Sequence, residues 1–130
     1  MDEFVVDTHA LFWYLTNSMK IGKKAIEVFD KAEKGKALIY IPSIVIAELY
    51  YLNERCNYPL NFKREYERLA EVRYFCFVEF SAEDVLLFDE IANISEIHDR
   101  IIVAVAKKLD IPCLTKDEEI VKSGAIQTIW

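Results

Sequence analysis

The sequence predicts an α/β domain of three layers, α/β/α, on a parallel five-stranded sheet. Two observations predict it. Short apolar runs rich in Val, Ile and Phe alternate with stretches whose apolar residues recur at helical spacing. Strands alternating with helices imply right-handed βαβ units and a sheet covered on both faces. The 130 residues, 53% of them hydrophobic, suit one domain over residues 1–130 with a real core.

The elements follow in order. Phe4 to Asp7 reads as a buried strand, and Thr8 as the cap of a helix through Leu11, Phe12 and Leu15. A second helix spans about Ile21 to Glu33, with Ala25, Ile26, Val28 and Phe29 inward and Gly35 as its stop. Ala37 to Ile41 is the second strand; Pro42 ends it and Ser43 caps a helix to about Asn53. Asn57-Tyr58-Pro59 marks a turn. Asn61 to Tyr74 is helical by spacing, and Cys76 to Phe80 is the third strand. Ser81 to Asp84 resembles a capping box opening a helix through Phe88 and Ile91. Asp99 to Leu109 carries β-branched residues that suit a strand, yet an acid at its start and Lys107-Lys108 at its end suit a helix dipole, so a buried helix is preferred. Ile111 to Leu114 is the fourth strand, Lys116 to Lys122 a short helix, and Ile126 to Ile129 the fifth strand.

Bulk properties narrow the class. No apolar stretch is long enough to span a bilayer, and Met1-Asp2-Glu3 lacks the basic start of a signal peptide. Cys56, Cys76 and Cys113 are odd in number and form no CxxC, so they read as core thiols in a reducing cytoplasm. A net charge of −6 argues mildly against a general nucleic-acid binder. That weight is small if bound cations cancel the charge of an acidic site.

Four carboxylates sit where apolar runs break: Asp7, Glu48, Asp99 and Asp117. Acids are seldom left beside buried surface unless they are paired or bound to a cation. Ligands in parallel sheets bind outside the carboxyl ends of the strands, where strand order reverses. Asp7 and Asp117 follow strands, and Glu48 and Asp99 lie near helix starts on the same edge. Together they would form an all-oxygen site for Mg²⁺ or Mn²⁺, with no Cys or His pattern calling for zinc. Each acid also has a plainer reading: Asp7 and Asp117 as helix caps, Asp99 as a first-turn acid, Glu48 as a carboxylate reaching past its neighbours to water. Thr8 and Thr115 are supporting polar groups or caps. Arg100 and Lys116 are candidate phosphate contacts, Arg100 alternatively the partner of a surface acid. His9 and His98 adjoin key acids without forming a zinc motif. Trp13, Tyr14, Tyr50 and Tyr51 read as core in preference to platforms for nucleobases.

Asp7-Thr8-His9-Ala10-Leu11-Phe12-Trp13, Ala47-Glu48-Leu49, His98-Asp99-Arg100-Ile101-Ile102-Val103-Ala104 and Leu114-Thr115-Lys116-Asp117 together resemble the PIN domain. The resemblance is to the VapC-type toxin ribonucleases of toxin–antitoxin pairs and covers essentially the whole chain. It implies strand order 3-2-1-4-5, with Asp7, Glu48, Asp99 and Asp117 as the acidic quartet. It further implies metal-dependent endonucleolytic hydrolysis of RNA to a 3′-hydroxyl and a 5′-phosphate, a small protein antitoxin, and a homodimer. Competing readings are a non-catalytic RNA-binding module, another Mg²⁺-dependent phosphohydrolase and a phosphoacceptor receiver. Aspartyl phosphatases want a second acid where His9 stands, and receivers want adjacent acids where Asp7 stands alone.

Overall fold

Apolar β-branched and aromatic residues make the first strand, β1 (Asp2–Val6), whose last three residues are buried. In the computed structural model, which describes all 130 residues, β1 is the centre of a five-stranded sheet. Helices α1 (Thr8–Leu15) and α2 (Lys23–Glu33) lead to β2 (Ala37–Pro42). Helices α3 (Ser43–Arg55) and α4 (Phe62–Glu71) lead to β3 (Phe75–Val78). A 3₁₀ helix (Glu83–Glu90) and α5 (Ile97–Leu109) precede β4 (Cys113–Leu114), and α6 (Glu118–Ser123) precedes β5 (Thr128–Ile129). The order is β3-β2-β1-β4-β5 and every pairing is parallel, as the sequence led us to expect.

The switch point lies between β1 and β4. Register there pairs Val5 with Cys113 and Val6 with Leu114. The ladder continues one step further, Asp7 N–H donating to the Leu114 carbonyl at 3.2 Å. Thr115 N–H in turn donates to the Ile129 carbonyl at 3.1 Å. Asp7 and Thr115 therefore leave the sheet side by side.

A 22-residue core cluster joins the sheet to α1, α2, α3 and α5, with Val5, Val6, Leu11, Phe29, Ile39 and Leu114 fully buried. A satellite cluster of Ile91, Ile94, Val103, Ala104 and Ile120 seats α6 and the segment before α5 against α5. The stretch read two ways is thus a helix, its β-branched residues divided between these two clusters.

Several boundaries differ from the sequence reading. Asp7, not Thr8, caps α1, and its side chain accepts from Ala10 N–H. Ser43 is the first residue of α3, not its cap, and gives no capping bond. α5 starts at Ile97 because Glu96 caps it. The Ser81–Asp84 box forms in both directions, at 2.9 and 3.3 Å, but opens a 3₁₀ helix. Ile26 is exposed rather than inward, as are Tyr50 and Tyr51. Cys56 is exposed and Cys76 half-buried, so only Cys113 is a fully buried thiol. No helix is long and apolar enough to cross a membrane.

Candidate active site

Asp7, Glu48, Asp99 and Asp117 line one cleft of about 410 Å³ at the carboxyl edge of the sheet, with Thr8, His9, Trp13, Arg55 and Lys116. Four elements distant in sequence supply the acids, and each delivery has a local cause.

Asp7 is first because β1 ends there. It is 8% exposed. Its Oδ1 accepts from Ala10 N–H at 2.9 Å, which satisfies an orphan donor of α1. Burial pushes its pKa up to about 6; the Thr115 hydroxyl and Ala10 N–H oppose the shift, and Asp117 and Glu48 add to it. Asp99 stands in the first turn of α5 but caps nothing, since Glu96 Oε2 takes the Asp99 N–H at 2.8 Å. Burial, then the charges of Asp117, Glu96, Glu48 and Asp7, raise its pKa to about 7. Asp117 caps α6, Oδ1 accepting from Ile120 N–H at 3.0 Å. Its own N–H donates to Thr115 Oγ1 at 3.0 Å, so the buried Thr115 holds the β4–α6 turn in shape.

Glu48 enters from α3, partway along its length. Thr8 donates its hydroxyl to Glu48 Oε1 at 2.6 Å. Glu48 Oε2 lies 3.8 Å from His98 Nδ1, which is 2.5 Å from Glu96 Oε1. Glu96 is held in turn from α6. Glu119 Oε1 accepts from the N–H of Ser95 at 2.7 Å and of Glu96 at 3.4 Å, and Ser95 Oγ donates to Oε2 at 3.1 Å. The chain Glu119–Ser95/Glu96–His98–Glu48 thus ties together the helices that carry Asp117, Asp99 and Glu48.

The carboxylates ring the cleft without closing on a common point: no group of three His, Cys, Asp or Glu side chains is arranged to hold an ion. The donor chemistry nevertheless fits a hard cation, because burial, with the charge of the neighbouring acids added, raises the pKa of Asp7 and Asp99, and a divalent ion would favour their ionised forms. Lys116 is at the cleft. Arg100 is not: its Nη2 donates to the carbonyls of Phe88 at 2.7 Å and Ile91 at 2.8 Å, and its guanidinium lies over the Phe88 ring. The candidate phosphate contact is therefore a brace between α5 and the segment that precedes it, pairing with carbonyls rather than a surface acid.

Arg55, absent from the sequence-derived set, lines the cleft and makes no ion pair within α3 or across it. Its signal was its position seven residues after Glu48, two turns along the same helix face. Glu96 and Glu119 were also missed. A glutamate three residues before Asp99 resembles no preferred cap, and Glu119 acts only through the tertiary placement of α6.

Comparison with known proteins agrees with this fold. Three solved structures share the fold across nearly the whole chain. They are VapBC2 from Rickettsia felis bound to a DNA fragment from their promoter (TM-score 0.72, 17% identity, 98% of each chain covered); DNA-bound VapBC from Salmonella typhimurium (0.70, 16%, 99% of this chain and 98% of that one); and Mycobacterium tuberculosis VapC20, described as a Sarcin-Ricin loop cleaving toxin (0.65, 15%, 93% and 95%). At such identities the likeness establishes the fold. No curated protein matches the sequence significantly. The PIN domain model matches residues 4–125, and the chain belongs to that family.

Proposed function

We propose that this PIN domain is a metal-dependent endoribonuclease, the toxin of a toxin–antitoxin pair. One observation carries the reading: Asp7, Glu48, Asp99 and Asp117, from four separate elements, share one cleft at the sheet's switch point. Family membership and the likeness to a toxin described as cleaving the Sarcin-Ricin loop support RNA as the substrate.

Asp7, Asp99 and Asp117 would hold Mg²⁺ or Mn²⁺, with Glu48 completing the shell directly or through water. When bound, such an ion lowers the pKa of water and neutralises a scissile phosphate. The chain's own groups do the rest. Glu48, held by the Thr8 hydroxyl, would also orient the attacking water. Thr115 keeps the turn that presents Asp117. Lys116 and Arg55 offer positive charge to the flanking phosphates, offsetting the acids in a chain of net charge −6. The expected partners are RNA, a small antitoxin that occludes the cleft, and a second copy of the chain; the expected compartment is the cytoplasm. The solved complexes of VapBC type support the antitoxin.

The test is incubation of assorted RNAs with the parent and its Asp99→Asn variant, in Mg²⁺, Mn²⁺ or chelator. Cleavage by the parent alone, and only with metal, is expected. Cleavage that survives chelator or the substitution would overturn the assignment.

A further inference from the structure

Beside the acids lies a cluster that hydrolysis alone does not use. Trp13 and Trp130, the chain's two tryptophans, meet edge-on, 5.7 Å between centroids at 64°. His9, one turn before Trp13 on α1, lies 5.3 Å from the Trp13 ring at 55°. Lys116 Nζ stands over both indoles, 4.8 Å from the Trp13 centroid and 5.9 Å from that of Trp130. His9, Trp13 and Lys116 line the same cleft as Asp7 and Asp117.

The fold makes room for this arrangement. Trp130 directly follows β5, whose pairing with β4 fixes where it leaves the sheet. It rests on Gly22, where an added Cβ would come within 2.6 Å of the Trp130 backbone carbon and ring. No ring stacks parallel on Trp13, since its aromatic neighbours approach at 55° and 64°. What stands over its face is the end of an exposed, flexible lysine. A strand approaching four carboxylates meets repulsion that Lys116 and Arg55 only partly offset, so contacts indifferent to charge add to affinity, and stacking of a base on an indole is such a contact.

We propose that Trp13, edged by His9 and Trp130, is the stacking platform for an unpaired nucleobase beside the bond that is cut, and that Lys116 passes from the indole to the adjoining phosphate when the base arrives. The inference rests on the ribonuclease reading and narrows its substrate to single-stranded RNA, because a base held in a duplex has no free face to offer. The lysine exchanges an exposed cation–π contact for a charge-assisted one with phosphate.

Both tryptophans belong to the cluster, so tryptophan emission, excited selectively over the seven tyrosines, reports on it alone. The parent is titrated, with Ca²⁺ in place of Mg²⁺ and strand integrity checked afterwards, with an eight-nucleotide single-stranded RNA, an abasic ribose-phosphate strand of equal length, and the RNA in duplex form. The single strand is expected to quench emission and bind about tenfold more tightly than the abasic strand, with no quenching by the duplex. Trp13→Leu should lose that tenfold preference and Trp13→Phe keep most of it. Equal affinity of the parent for base-bearing and abasic strands overturns the platform, as does an equal weakening of both by Trp13→Leu. If Trp13→Leu fails to fold, the parent's preference and its quenching decide alone. Metal-dependent cleavage without base preference sinks the platform and spares the nuclease. Base-dependent quenching in a chain that cleaves no RNA in any metal sinks the nuclease and leaves a base-binding site.

Discussion

Thr8 holds Glu48: a hydroxyl two residues after β1 donates, at 2.6 Å, to a carboxylate on a helix forty positions later. Thr8 is 7% exposed, while the Glu48 side chain is 30% exposed, so the fixed partner orients the freer one. Thr8→Val removes the donor at nearly constant volume. Because water can reach Glu48, the stability cost should sit at the low end of a bond to a charged group, about 1–2 kcal/mol. Cleavage should fall about tenfold or more with KM little changed, the pattern of a misplaced group rather than lost binding. Thr8→Ser, which keeps the hydroxyl, should restore most of it. Thermal unfolding and steady-state kinetics on the three proteins check this.

Asp99 and Asp7 should respond differently to neutralisation. The Asp99 carboxylate caps no helix and feels four acids. Asp99→Asn should therefore leave the metal-free protein as stable as the parent or more so, while cleavage is lost. Asp7 caps α1, and Asp7→Ala removes an acceptor usually worth about 1 kcal/mol, set against relief from burying a charge. Asp7→Asn, which keeps an acceptor, should be the more stable of the two Asp7 variants. Melting in chelator ranks all three; a clear drop for Asp99→Asn would mark it as a structural residue.

The same two acids set a pH dependence with a definite sign. Both have folded pKa values above the ordinary 3.8, about 6 for Asp7 and about 7 for Asp99. Between those limits the folded chain binds more protons than the unfolded one. Their contribution is full below pH 4 and is lost as pH rises through 6 and 7. At about 1.4 kcal/mol per unit, Asp7 alone carries about 3 kcal/mol, and the more exposed Asp99 less per unit. The lowered carboxylates, Asp84 and Glu119 among them, are already ionised in this range and do not oppose the trend; His9, its pKa lowered by desolvation, opposes it as a single group against two acids. The metal-free melting temperature should fall from pH 5 to pH 7.5. Millimolar Mg²⁺ should flatten or reverse that slope, because the ion stabilises the ionised carboxylates and competes with protons. A metal-free melting temperature that rises over this interval would contradict the assigned burial.

The sequence carried the sheet and the acids but not the braces between them. The strands were legible because Phe4-Val5-Val6 and Cys113-Leu114 are apolar on both faces, as central parallel strands must be. Asp7 was legible because it directly follows such a run, and Asp117 because it stands three residues past one. Tyr50 and Tyr51 misled because aromatics usually pack inward, whereas α3 turns both to solvent, Tyr50 lying edge-on to the half-buried Phe62. Arg100 misled because its charge suggested phosphate, while the carbonyls of Phe88 and Ile91 come within reach only once the segment before α5 folds back. Glu119 was illegible for the same reason: its partners lie 23 and 24 residues away.

That brace carries the last prediction. Glu119 gathers two backbone N–H groups and the Ser95 hydroxyl, and the turn it fixes delivers Glu96 to the start of α5. The N–H donors hold its pKa below the usual carboxylate range, as expected of an acceptor used in its charged form. Without it, α5 and α6 still share Val103, Ala104 and Ile120, so the fold should survive. What should loosen is the spacing between Asp99 and Asp117. Glu119→Ala is therefore expected to lower the melting temperature by only a few degrees, because the network it holds is exposed to water. The Mn²⁺ concentration at half-saturation, followed by thermal shift, should rise about tenfold, since a divalent site tolerates little misplacement of its carboxylates. Glu119→Gln keeps one acceptor oxygen and should fall between the two. An unchanged Mn²⁺ midpoint in Glu119→Ala would show that the satellite core alone sets the distance between the two acids.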